Sequence, residues 1–260
     1  MTQAAIVNTP RLRDALHSEY LKLTGLRSIR YTTAATIVFA ISVSILVSKA
    51  DATTTSVGRS STSFDAVSSS LAGIIPAQLA IAVLGAWMVT SEYTTRTIQS
   101  SLLAQPVRIR LFGAKLLVLT VTALAISLTV VIASFAFSQI VLAPSGLSVS
   151  ISRSGVLRAV IGAVAYLTGW GLLGYGVGAL MRRTASAVTA VVVLLFVGPE
   201  IISFISFHAS QYAPGPLGFE MFSLVHSATS PSLPVACSLF AAYVVAALAL
   251  GVARFVHGDA

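Results

Sequence analysis

The sequence predicts an all-α polytopic membrane protein with six transmembrane helices, and three observations carry that reading. Hydrophobic residues make up 56% of the 260-residue chain and charged residues only 9%, against about 25% charged in an ordinary soluble domain. The apolar residues form unbroken runs close to or beyond the ~18 residues that mark a spanning helix, and they lack the in-out alternation of a membrane barrel. Basic residues gather at alternate loops, the pattern that orients membrane helices.

The first 30 residues are polar and basic. No early apolar stretch with a small-residue cleavage site appears there, so a cleaved signal peptide is not expected. Within residues 11–30, Leu12, Leu16, Tyr20, Leu23 and Leu26 recur at helical spacing, with Arg11, Asp14, Ser18 and Lys22 opposite. That pattern predicts an amphipathic interfacial helix with its basic face toward anionic lipid. The alternative is a plain basic flank that orients the first span.

The first span is expected from about Thr33 to Ser48, followed by a loose Ser/Thr-rich loop over 49–70. The second runs from about Leu71 to Val89, with Pro76 in its first turns, where proline is tolerated. Residues 90–115 then form a long polar interruption, TSEYTTRTIQSSLLAQPVRIRLFGAK. Glu92 and Arg96 stand at i,i+4 in the favourable acid-first order, as do Ile98 and Leu102 in the apolar sense. Pro106 stops the helix that this spacing predicts over 90–105. Arg108, Arg110 and Lys115 lie at the mouth of the third span, about Leu116–Leu142.

Ala143-Pro144-Ser145-Gly146 reads as a turn. The fourth span, about Leu157–Met181, is rich in glycine, and Gly174 and Gly178 have the small-xxx-small spacing that lets helix backbones approach in lipid, inside one subunit or between two. Gly169 to Gly174 also fits a dinucleotide fingerprint, but no strand precedes it and a spanning helix is the wrong setting. The fifth span is expected over about Ala185–Phe207. It holds Pro199 and Glu200, and a carboxylate at membrane depth costs roughly 2.5–3.5 kcal/mol on insertion scales. A translocation path or gate, a structural hydrogen bond and a site wet from the surface all remain open for it. Residues 208–230 form an outer loop without Lys or Arg, and the sixth span covers about Leu233–Ala253.

Six spans place both termini on one side. With that side inside the cell, twelve of the sixteen Lys and Arg residues are cytoplasmic, Arg96, Arg108, Arg110 and Lys115 among them. The chain then forms a single transmembrane domain over 1–260 in the plasma membrane, multi-pass, with both termini and the 90–105 helix in the cytoplasm. The formal charge of +8 follows this topology and not one basic-aromatic patch, so nucleic acid is not an expected partner. The lone Cys237 excludes an intrachain disulfide and a multi-cysteine metal site. His208, Glu220 and His226 share the outer loop, but their spacing matches no common zinc pattern, and no metal is expected.

The run Glu92-Tyr93, Thr97-Ile98, Leu102, Pro106, Arg108, Arg110 and Ala114-Lys115 resembles the cytoplasmic loop of ABC-2-type permeases, especially actinobacterial ones. Ser18-Glu19-Tyr20, Lys22-Leu23 and Arg27-Ser28 are similar to the start of that family's chains, and the six-span layout extends the likeness over nearly the whole sequence. Arg96 stands where the family pattern has glycine, and Thr24-Gly25-Leu26 separates two parts of the N-terminal motif. The resemblance implies the membrane-spanning permease subunit of an ATP-binding-cassette exporter. It implies a dimer with a second copy or paralogue and a separate ABC ATPase docked on a 90–105 coupling helix, with Glu92, Tyr93, Arg96, Thr97, Ile98 and Leu102 at the contact. It further implies that 208–230 forms re-entrant helices at the outer end. No G-x-x-x-x-G-K-[ST] loop occurs, so ATP and magnesium belong to the partner and the chain itself is not an enzyme. A secondary transporter would need more ionisable residues in its spans, and an intramembrane enzyme would need motifs such as G-x-S-x-G or H-E-x-x-H, which are absent. A non-transporting sensor or assembly factor remains compatible with the sequence.

Overall fold

A computed structural model describes Leu21 and residues 27–56, 65–95, 108–224 and 230–257. Six of its helices are long and apolar enough to cross a membrane. Most of the expected interfacial helix over 11–30 and of the 95–107 loop lies outside the described residues; of the former, Leu21 is helical and 27–30 are the first turn of the first span.

The first span is α1, Arg27–Ser56, longer at both ends than its apolar run. Its hydroxyl side chains do not break it, because they bond their own helix: Thr36 to the Thr32 carbonyl at 2.8 Å and Ser42 to that of Val38 at 2.8 Å. The short helix α2, Ala66–Ser70, follows, capped by Asp65, whose carboxylate accepts from the Val67 and Ser68 amides. The second span is α3, Ile74–Thr94. It continues five residues past Val89, so 90–94, expected as the start of the surface helix, are the last turn of a span. The third is α4, Arg108–Leu142, which takes in Arg110 and Lys115, expected before the span. Gly146, in the left-handed region at φ 68°, ends the turn after it.

The fourth span, α5, covers Val156–Met181, within one residue of the expected limits. The fifth consists of α6 (Thr184–Val192), a π-turn over Val193–Val197 and α7 (Gly198–Ile205). Pro199 has no N–H to offer the Leu195 carbonyl, and Gly198 reaches back five residues to the Val193 carbonyl, which is the π pattern. Two short helices, α8 (Phe207–Ser210) and α9 (Pro214–Phe222), precede the sixth span, α10, Leu233–His257.

Helix α5 is the axis of the bundle, with Trp170, Tyr175, Leu167 and Leu173 fully buried along it. Lipid tails are as apolar as leucine, so close backbone packing and not apolar burial holds the spans together. Gly174 and Gly178 supply that packing within the chain, against α3. A Cβ at Gly178 would lie 2.6 Å from the Ala86 carbonyl oxygen, and one at Gly174 would meet the Ala82 carbonyl still closer. In their most apolar stretch, 67% of α5 residues are buried inside the chain, against 17% in the first and fifth spans. Those two spans are the periphery.

Candidate coupling site and permeation path

Polar contacts join the spans at the end that carries Lys115, Arg182, Arg183 and Arg254. Glu92 in the last turn of α3 pairs with Lys115 in the second turn of α4, Oε1 to Nζ 2.6 Å. The two side chains are 10% and 3% exposed, so the pair is an internal brace. Its residues fall on buried faces: Met88, Val89 and Glu92 on α3, and Leu111, Phe112, Lys115 and Leu119 on α4. At 2.6 Å and an effective dielectric of ~20, the attraction is roughly 6 kcal/mol before desolvation is subtracted.

The neighbouring spans join the same end. Thr184, opening α6, donates to Thr90 Oγ1 at 3.0 Å. Tyr175 donates to the Phe112 carbonyl at 2.9 Å, tying α5 to α4. Arg182 ends α5 in the left-handed conformation, φ 57°, which turns its guanidinium back over the bundle. There Nη2 donates to the Arg254 carbonyl at 2.7 Å, and the group sits 5.4 Å from the Tyr93 ring centroid, within cation–π range.

Glu92 and Tyr93 thus lie inside the structure that supports the loop. Arg96, Thr97, Ile98 and Leu102 fall outside the described residues. Spacing pointed from Glu92 to Arg96, and Lys115 was missed because it lies 23 residues on. A lysine on the helical repeat of Leu111, Phe112 and Leu119 was the signal that could have found it.

Glu200 lies in the first turn of α7 and is exposed. Along the same helix Ile201 and Phe204 are 56% and 96% exposed, so this face turns away from the chain's own core. A cleft of about 650 Å³ opens between α1 and α3, with Thr32, Thr36 and Phe39 on one wall and Leu79, Val83 and Trp87 on the other. It is almost wholly apolar. Among the described residues no three His, Cys, Asp or Glu side chains converge on a metal-sized site, and His226 lies outside them.

The opposite end is closed by α9, which nests on α5. Gly162 accommodates the Met221 carbonyl and Gly218 accommodates the Tyr166 ring, since a Cβ at either would overlap those atoms. Tyr166, buried between them, donates to Gln78 Oε1 at 2.5 Å and lies 3.4 Å from the Gly215 carbonyl.

Six spans with a braced basic end and an apolar cleft define a polytopic helical membrane protein. Residues 15–197 match the family described as ABC-2 family transporter protein. The chain belongs to that family and is the permease component of an ABC transporter. No curated protein matches it.

Proposed function

We propose that the chain is the permease subunit of an ABC exporter of the plasma membrane, that it pairs with a second copy or paralogue, and that a separate ATPase docks on the loop between α3 and α4. The Glu92–Lys115 brace is the observation that supports this best. A motor pushing on a loop does work on the spans only if the helices at its two ends move as one body. A buried ion pair directly beneath the loop joins them. In this reading Arg96, Thr97, Ile98 and Leu102 supply the docking surface, while Glu92 and Tyr93 carry its motion into α4 and α5. ATP and magnesium bind the partner, and both termini lie in the cytoplasm with the basic end.

The exposed face of α6 and α7, with Glu200, turns toward the second subunit, and Pro199 with its π-turn gives that wall a place to bend. The apolar cleft suits a hydrophobic or amphipathic cargo and the surrounding lipid. The test is co-purification in detergent with a candidate ABC ATPase subunit, followed by ATP turnover for the intact permease and for Arg96→Ala and Leu102→Ala. Stable association with altered turnover in the variants is the expected result. A folded chain that binds no ATPase overturns the reading.

A further inference from the structure

We propose that Asp65 and Arg158 form a clasp on a single peptide group, the one joining Ser223 to Leu224, and that this clasp holds α9 shut over the end of the bundle opposite the ATPase. The inference rests on the permease reading for its purpose but not for its geometry. Helix α9 ends as Ser223 turns extended, at φ −73° and ψ 142°. The next peptide leaves the helix inside the protein, with Ser223 only 2% exposed. Its carbonyl oxygen accepts from Arg158 Nη2 at 2.9 Å, and its N–H, on Leu224, donates to Asp65 Oδ2 at 3.2 Å.

A cation therefore holds the negative end of one peptide dipole and an anion holds the positive end. Both are charge-assisted hydrogen bonds. The two grips are themselves fixed. Asp65 caps α2 through Oδ1, 3.0 Å from the Val67 amide, and α2 is tied to α1 by the hydrogen bond from Ser69 to Asp51. Arg158 stands in the first turn of α5. Beside it Gly155, at φ 90°, leaves room for Leu224, whose Cδ2 would lie 2.9 Å from a Cβ there. The clasp thus joins the α1–α3 connection, α5 and the end of α9, the three pieces that must separate for this end to open.

Asp65→Asn isolates the contact. Asparagine caps a helix as well as aspartate; with its oxygen kept on the Val67 and Ser68 amides, its NH2 replaces Oδ2, where the Ser68 hydroxyl can turn to accept but the Leu224 N–H meets a donor. Arg158→Met removes the other grip and keeps the apolar stem. Hydrogen exchange of the purified full chain is expected to rise roughly ten- to hundredfold over 214–224 in each variant, with 156–181 unchanged. The charge-reversed double variant, Asp65→Arg with Arg158→Asp, is expected to exchange as fast as the single variants, because the peptide cannot reverse its polarity. Protection restored by that reversal would mean the two residues act on each other, and unaltered exchange in the single variants would equally overturn the clasp.

Opening itself is read by a membrane-impermeant maleimide on intact cells carrying Met221→Cys in a Cys237→Ser background. Asp65→Asn is expected to raise labelling several-fold. Labelling that stays low while exchange rises overturns the gating role. Ser232→Cys, exposed at the same end, separates the two readings. If it stays unlabelled in intact cells, the assignment of this end to the outside fails and the proposed gate fails with it.

Discussion

The Glu92–Lys115 pair gives the sharpest test of how force reaches the spans. Lys115→Met removes the ammonium and leaves a carboxylate that is about nine-tenths buried without that partner. Losing one member of a buried pair costs about 3–5 kcal/mol, because the remaining charge stays desolvated. The double variant Glu92→Leu with Lys115→Met removes both charges and fills much of the same volume with apolar groups. It is expected to lie within about 1 kcal/mol of the native protein, or to exceed it. The assay is unfolding of the purified permease by SDS titration, run as a double-mutant cycle. If Lys115→Met costs less than about 1 kcal/mol, the pair behaves as a solvated one and is no brace. ATP turnover and transport in the reconstituted complex add the functional half. The double variant is expected to fold and bind the ATPase yet hydrolyse ATP with less transport per cycle, since packing alone ties the helix ends less rigidly. Full coupling in the double variant would refute the mechanical role.

Three further outcomes follow from the packing. Tyr166→Phe leaves the buried Gln78 carbonyl without its 2.5 Å donor and is expected to cost about 1–3 kcal/mol in the same titration; a loss under about 0.5 kcal/mol would mean that Gln78 finds another partner. Gly178→Val forces α3 and α5 apart, because a Cβ would already sit 2.6 Å from the Ala86 carbonyl, and is expected to cost at least about 1–3 kcal/mol. Gly113→Ala, where a Cβ meets nothing within 4 Å, should instead stabilise by up to about 1 kcal/mol.

Much of the architecture is legible in the apolar runs. The fourth span could be placed within a residue because Gly155 and the Arg182-Arg183 pair bound it sharply. Elsewhere the spans overrun their apolar cores. Thr90-Ser91-Glu92-Tyr93-Thr94, expected to open a separate surface helix, instead continues α3: Thr90 and Thr94 satisfy their hydroxyls on carbonyls of their own helix and Glu92 meets Lys115. Polar residues at a membrane boundary satisfy one another across helices, and single-sequence spacing sees only partners along one helix. The same limit hid Asp65 and Arg158. Each reads as an ordinary loop or boundary charge, and their shared target is a backbone group, which leaves no trace in side-chain pattern. Glu200 was conspicuous for the opposite reason, since a charge inside an apolar run stands out. In the structure it is exposed, turned away from the described core.

The brace and the clasp are connected by one rigid element. Helix α5 has 26 residues, about 39 Å at 1.5 Å per residue, and it carries both Tyr175 and Arg182 at the basic end and Arg158 at the other. It cannot slide freely past α3, because Gly174 and Gly178 lock against the carbonyls of Ala82 and Ala86. A displacement of α3 and α4 by the loop must therefore move α5 as a body, and with it Arg158. Asp65 stands on the α1–α3 connection, which Ser69 ties to Asp51 near the C-terminal end of the more peripheral α1. Relative motion between these two parts strains the one peptide that both hold. If the far end opens as proposed, the helix would serve as the lever, and the release point would be the Ser223–Leu224 peptide that Arg158 on α5 and Asp65 on the α1–α3 connection both hold. Cutting the Tyr175 hydroxyl contact to Phe112 with Tyr175→Phe would loosen α5 from α4 and should lower the ATP-dependent labelling of Met221→Cys while leaving nucleotide turnover in place. Loss of turnover and labelling together would instead place Tyr175 in ATPase docking.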